Sequence, residues 1–274
     1  MHRYTKAIIQ ACERASINIR RDLSEINHLQ ASRNLKVFLS NSQLRFEKNM
    51  AYELKSMMFS NIFIYKRDGS SKNIIDTCYS NEVQKQGSDD DVNCIVLGID
   101  NIVNLSHGID NIAIAIYVVE GGDLTDEAKV IAAAICIPAQ QTIAFTDTDN
   151  EAFIMGSDGL IKRLRMNPST NIILPVVVCS TDNPRHNIDR LLPKRDIHFV
   201  SSGSILYDAM MVIENKVDIG FYSTPSSHEY LTAIKILTNA AGGSDLLLEK
   251  SYIFGKKSIM NAIIQQNIQY NNVD

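Results

Sequence analysis

The hydrophobic periodicity of this chain changes character twice, and that pattern constrains its architecture more than any single residue does. From Tyr4 to about Leu29, Ala7, Ile8, Ala11, Cys12 and Ala15 recur at helical spacing between charges, which predicts an amphipathic helix. A second helix is expected over Gln43–Phe59, with Leu44, Met50, Ala51, Leu54, Met57 and Met58 on its apolar side. The chain then turns to short runs rich in β-branched and aromatic residues: Asn61–Lys66, Ile74–Tyr79, Val92–Leu97, Asn111–Val119, Val130–Ile137, Thr142–Phe145, Ala152–Met155 and Leu160–Met166. Gly121-Gly122-Asp123 and Gly156-Ser157-Asp158-Gly159 separate members of this run, as hairpin turns do. Beyond it, strands (Asn171–Cys179, Ile197–Val200, Val217–Tyr222 and Leu246–Phe254) alternate with helices (Pro184–Leu192, Ser204–Ile213, His228–Ala240 and Ser258–Gln269). Helices, a meander and then alternation predict an α/β protein of stacked layers. Its two sub-domains, about residues 1–166 and 167–274, would share one continuous body.

Charge and cysteine usage narrow the function classes. The 274 residues carry 27 Lys and Arg against 31 Asp and Glu, a formal net charge of −4, which argues against a broad electrostatic grip on nucleic-acid phosphates. Cys12, Cys78, Cys94, Cys136 and Cys179 are scattered without a C-x-x-C pair, so they read as buried thiols in a reducing compartment. The apolar runs Ile112–Val119 and Val130–Ala139 fall short of the ~18 residues that suggest a membrane span. The N-terminal apolar run is broken by Gln10 and Glu13, so no signal peptide is expected. These features predict a cytoplasmic chain that contacts neither membrane nor nucleic acid directly.

The most informative stretch runs from Val96 to Ile109 and reads V-L-G-I-D-N-I-V-N-L-S-H-G-I. It resembles the metal motif of the inositol monophosphatase family, D-P-I/L-D-G-T-x-N-F-x-H-G, with Asn104, His107 and Gly108 at the family spacing. Further landmarks follow in order. Glu151-Ala152-Phe153-Ile154-Met155-Gly156 is similar to the family's G-A-F-x-N-G, Ser202-Gly203-Ser204 to its G-S-A, and Ala241-Gly242-Gly243 to its E-A-G-G. The resemblance spans nearly the whole chain. It implies the αβαβα sugar-phosphatase fold, a homodimer, and Mg²⁺-dependent hydrolysis of phosphate monoesters. In that chemistry, clustered carboxylates hold the ions while a Glu and a Thr position the attacking water. Mg²⁺ is a hard, octahedral ion that prefers carboxylate oxygens, and paired ions clamp the attacking and leaving oxygens.

Carried over residue by residue, the resemblance implies that most of this machinery is gone. The early metal-associated Asp falls on Gln43, and the first Glu of the family's G-E-E falls on Asn81, with the second kept as Glu82. The first motif Asp falls on Leu97, the second is kept as Asp100, and the following Gly and Thr become Asn101 and Ile102. The metal Asp of the C-terminal helix falls on Tyr230, beside Glu229. Leu97 and Ile102 offer neither a ligand nor a hydrogen bond to water. Asp100 is thus the retained family ligand, Glu82 and Glu229 are the available substitutes, and Asn81 and Ile102 are vestigial catalytic positions. Asn101, Gly203 and Ser204 are expected along the substrate cleft.

The expectation is a catalytically silent relative that needs no cofactor and acts through protein contacts. One bacterial branch of the family, the SuhB proteins, works with the transcription machinery, which makes such a use plausible by analogy of fold. The alternatives are a Mg²⁺-dependent sugar-phosphate phosphatase with a rebuilt site, and a metal-free sensor of a small polar molecule. His107 reads as ordering its own loop, the serines of 201–204 as helix N-caps, and Asp89-Asp90-Asp91 as a solvated loop.

Overall fold

Two long helices open the chain, and their apolar stripes decide which face of the first sheet they cover. The computed structural model describes residues 1–29, 35–57, 59–66, 70–74, 91–124, 126–147, 150–168, 176–179, 197–222, 228–248 and 251–271. Helix α1 (Arg3–Leu29) buries Ile8, Cys12, Ala15, Ile19 and Ile26, a stripe at helical spacing. Helix α2 (Leu35–Lys55) buries Ser42, Phe46, Met50 and Leu54 at a strict four-residue interval. It begins eight residues before its expected start, because Leu35, Val37, Phe38 and Leu39 cluster without a clear helical stripe and Val37 is 61% exposed.

Eight strands form the first sheet in the order β2-β1-β3-β4-β5-β6-β7-β8. They are β1 (Asn61–Tyr65), β2 (Ser71–Asn73), β3 (Val92–Asp100), β4 (Ala113–Glu120), β5 (Val130–Ile137), β6 (Thr142–Thr146), β7 (Ala152–Met155) and β8 (Ile161–Arg163). From β3 to β8 every pairing is antiparallel, as the regular turn spacing predicts, whereas β1 lies parallel to β3. Strand β4 is buried on both faces from Ala113 to Val119, and β5 carries Ala132, Ala133 and Ala134 at its centre. Small side chains there let helices approach from both sides.

The second sheet, ordered β10-β9-β11-β13-β12, contains β9 (Val176–Cys179), β10 (His198–Val200), β11 (Ile219–Tyr222), β12 (Ser244–Leu248) and β13 (Ser251–Gly255). Helices α4 (Ile205–Ile213) and α5 (His228–Ala240) lie between the sheets. One continuous core joins Leu97, Ala115 and Tyr117 of the first sheet to Met210, Ile234, Tyr222 and Phe254. Helix α6 (Lys257–Asn271) covers the outer face of the second sheet through Ile259, Met260 and Ile263. The layers therefore run helix, sheet, helix, sheet, helix, which is the αβαβα order. Gly220 on β11 is dictated by packing, since a Cβ there would sit 2.2 Å from the Phe254 ring.

Several expectations shift. The strand expected over Ile74–Tyr79 is found just before it, at Ser71–Asn73, and residues 75–79 lie outside the described residues. The loop expected over 84–91 (apart from Asp91), the helix expected over 184–192 and the first five residues of the strand expected from Asn171 also lie outside them. Strand β3 runs through the motif to Asp100 rather than ending at Leu97, and an unanticipated one-turn helix, α3 (Ile102–Ser106), follows it. Cys12, Cys94 and Cys136 are buried free thiols. Among the described residues, no helix is long and apolar enough to cross a membrane.

Candidate functional site

The motif sits where β3 leaves the first sheet. In-register pairing aligns Asn61 to Tyr65 of β1 with Asn93 to Leu97 of β3, so Tyr65 is the parallel-strand partner of Leu97. Leu97 is fully buried, in the core between the two sheets. The Tyr65 phenol lies within electrostatic reach of Glu229, in the first turn of α5. Burial, then the Glu229 charge, hold the Tyr65 phenol above its ordinary pKa. Burial followed by the same carboxylate's charge does likewise for Tyr117 on β4. Tyr230, the next residue of α5, is fully buried in the core. Glu229 therefore does not stand in for an acid at position 230. Adjacent helical residues diverge by about 100°, and here they go to a phenol and to the apolar core.

Past Leu97 the β3–β4 register shifts, and Asp100 leaves the strand fully buried. Its Oδ2 accepts hydrogen bonds from Ser204 Oγ and from the Leu206 backbone N–H, both at 2.9 Å. Ser204 is the N-cap of α4, its Oγ also accepting from the Tyr207 N–H. The carboxylate thus faces a helix N-terminus, whose exposed amides favour a negative charge. Asn101, at φ 68°, caps α3 by accepting from the Val103 and Asn104 N–H groups. Asn101 Nδ2 donates to the Gly203 carbonyl at 2.8 Å, and Asn104 Nδ2 donates to the carbonyls of Ser202 and Asn111 at 2.9 and 2.8 Å. Gly203 has φ +79°, and a Cβ there would lie 2.7 Å from Asn101 Nδ2. The exposed His107 places Nδ1 2.9 Å from Ser106 Oγ and 3.0 Å from the Val103 carbonyl, within its own turn, and Gly108 closes that turn at φ 67°.

The surviving motif residues hold two loops together. Asp100, Asn101 and Asn104 fasten residues 100–104 to residues 202–206. A cleft of about 440 Å³ opens beside them, lined by Gln43, Glu47, Lys66, Asn101, Ile102 and Val103 among others. Of the three residues expected along the cleft, Asn101 lines it, whereas Gly203 is absent from its wall and Ser204 is fully buried. Asn81 and Glu82 lie outside the described residues.

Mg²⁺ requires several oxygen donors, carboxylates above all. Leu97 and Ile102 have no side-chain oxygen, Tyr230 is enclosed by apolar core, Gln43 offers a neutral amide, and Asp100 is engaged with α4. No group of three or more His, Cys, Asp or Glu side chains comes together among the described residues. These residues do not fit a carboxylate-rich magnesium site. Sequence reasoning overlooked Tyr65, Glu47 and Lys66. Only the parallel β1–β3 register brings Tyr65 beside Leu97, and a strand's register to a distant partner is not written in its own residues.

Neither a family model nor a curated protein sequence matches the chain. Solved structures do. The extragenic suppressor protein suhB from Bartonella henselae superposes with a TM-score of 0.70 at 16% identity, covering 97% of this chain and 98% of that one. Mycobacterium tuberculosis SuhB gives 0.69 at 16% identity over 99% and 98%. CysQ from Bacteroides thetaiotaomicron, described as a bacterial member of the inositol monophosphatase family, gives 0.66 at 16% over 93% and 97%. At such identities the likeness is one of fold, and it extends over nearly the full length of both partners.

Proposed function

We propose that this chain, whose fold is that of the inositol monophosphatases, is a non-catalytic protein that works through protein contacts. One observation carries the reading: Asp100, the one family metal ligand retained in the motif, is fully buried and spends its Oδ2 on Ser204 and the Leu206 amide. A carboxylate recruited to fasten α4 is a structural group, and its neighbours Leu97 and Ile102 supply nothing that binds an ion or orients water. The role is placed in the cytoplasm, the assembly is a homodimer, and the partner is sought in the transcription machinery because SuhB proteins are among the structural neighbours.

The direct test is phosphatase activity on inositol 1-phosphate and on an aryl phosphate, with Mg²⁺ or Mn²⁺. No metal-dependent turnover is expected. Turnover that requires metal and disappears in Asp100→Asn would establish a rebuilt phosphatase site and overturn the reading.

A second reading is favoured by the cleft beside Asn101. Its wall combines the Gln43 amide, Glu47 and Lys66 with Ile64, Ile99 and Ile102, which suits a small polar ligand held without metal. Such a sensor would gain thermal stability from a polyol at millimolar concentration, and would lose that gain in Gln43→Ala.

A further inference from the structure

We propose that a second groove, on the far side of α1, binds a linear zwitterion of about tripeptide length, its carboxylate on Arg20 and its amine toward Glu13. The groove encloses about 540 Å³ and shares no lining residue with the cleft at Asn101. One wall is a single stripe of α1, since Gln10, Glu13, Arg14, Ile17 and Arg20 fall at intervals that return to the same helix face. The other wall is built from Gln141, Ile143 and Met155 and from the turn at residues 156–159.

The charges in this groove are not all matched. Arg14 Nε lies 3.9 Å from Glu53 Oε1, so that pair is mutually neutralised. Arg20 has no ion pair among the described residues, and its buried Nε has no hydrogen-bond partner there. A guanidinium without an ion pair in a concave wall is a fork for a carboxylate. Glu13 is exposed and likewise has no ion pair among the described residues. Seven residues separate the two, nearly two helical turns, so they share a face about 10 Å apart along the axis. That exceeds direct pairing distance but matches the reach of three extended residues, about 10 Å.

Between the two charges the wall suits a peptide. Gln10 and Gln141 each present one amide donor group and one carbonyl acceptor, the complement of a peptide unit. Ile17, 51% exposed, supplies apolar contact for small side chains. An anion alone would leave Glu13 unfavourably close to it, and a cation alone would meet Arg20. The bipolar ligand answers both.

Isothermal titration calorimetry with trialanine, N-acetyl-trialanine and trialanine amide tests the assignment. Free trialanine binds, and capping either end weakens binding about tenfold, the loss of one charge-assisted contact. Arg20→Gln makes the protein indifferent to amidation, and Glu13→Gln makes it indifferent to acetylation. Glu13 is exposed and Arg20 half-buried, and an unchanged melting temperature in each variant verifies the fold. No heat with free trialanine, or equal affinity of the wild type and Arg20→Gln for it, overturns the proposal. The result is independent of the phosphatase assay, because no residue of this groove lines the cleft at Asn101.

Discussion

At the scale of the residue, Asp100 shows how a side chain can outlast its original chemistry. A fully buried carboxylate is costly unless hydrogen-bonded, and here Ser204 Oγ and the Leu206 amide supply the bonds at the positive end of α4. Each charge-assisted bond contributes about 1.5–3 kcal/mol. Asp100→Ala is therefore expected to destabilise the fold by about 3 kcal/mol, read as a lower urea midpoint with unchanged slope. Asp100→Asn, which keeps one acceptor, is expected to cost about 1 kcal/mol. In a site built to hold ions, removing one of several mutually repelling carboxylates stabilises the metal-free protein, so a gain in either variant would refute the structural role. Leu97→Asp supplies the converse. It buries an acid in the core between the sheets, and a loss above 3 kcal/mol that Mg²⁺ does not recover is expected.

At the scale of the element, the one-turn α3 and the loop before α4 act as a clasp. The Asn104 amide bridges the carbonyls of Ser202 and Asn111, and Asn101 ties α3 to Gly203. Asn104→Ala leaves two carbonyls without their donor and is expected to cost about 2 kcal/mol. In hydrogen exchange, protection should fall together around residues 101–112 and 201–207, because the clasp opens on both sides. Loss confined to one segment would show that the two are not coupled. The spacing of Asn104, His107 and Gly108 made this region legible in the sequence, and α5 was readable to the residue from its apolar period and the glycines that end it. The start of α2 was not, because its first turns expose Lys36 and Val37 to solvent and bury nothing fully before Ser42, and Leu44, expected on the apolar side, is 45% exposed. Nor was the partner of Asp100. A capping bond across 104 residues of chain depends on tertiary placement, and local sequence contains no term for it.

At the scale of the whole molecule, the inter-sheet layer is unusually phenolic, and that makes its stability depend on pH in one direction. Tyr117, Tyr222, Tyr230 and Tyr252 are buried in this core, and Tyr65 packs against it. Burial, reinforced by the carboxylate of Glu229, raises the phenol pKa values of Tyr65 and Tyr117. Burial, reinforced by Asp245 and Glu127, raises that of Tyr252. Lys235 is raised as well, chiefly by its hydrogen bond to Glu127. In the unfolded chain the phenols titrate near 10. Between that value and the raised folded values the native state binds more protons than the unfolded state, so stability falls as pH rises. It is fully present below about pH 10 and is lost progressively above it. Thermal unfolding is expected to hold a constant midpoint from pH 7 to about 9.5 and then to drop. Phenolate absorbance divides the tyrosines into two classes. Tyr52, 78% exposed, stands in solvent outside this layer. The buried phenols ionise only as circular dichroism reports unfolding. If every tyrosine titrated reversibly with the fold intact, water would have access to the layer between the sheets. The closed core around Leu97 and Tyr230, on which the non-catalytic reading depends, would then be open.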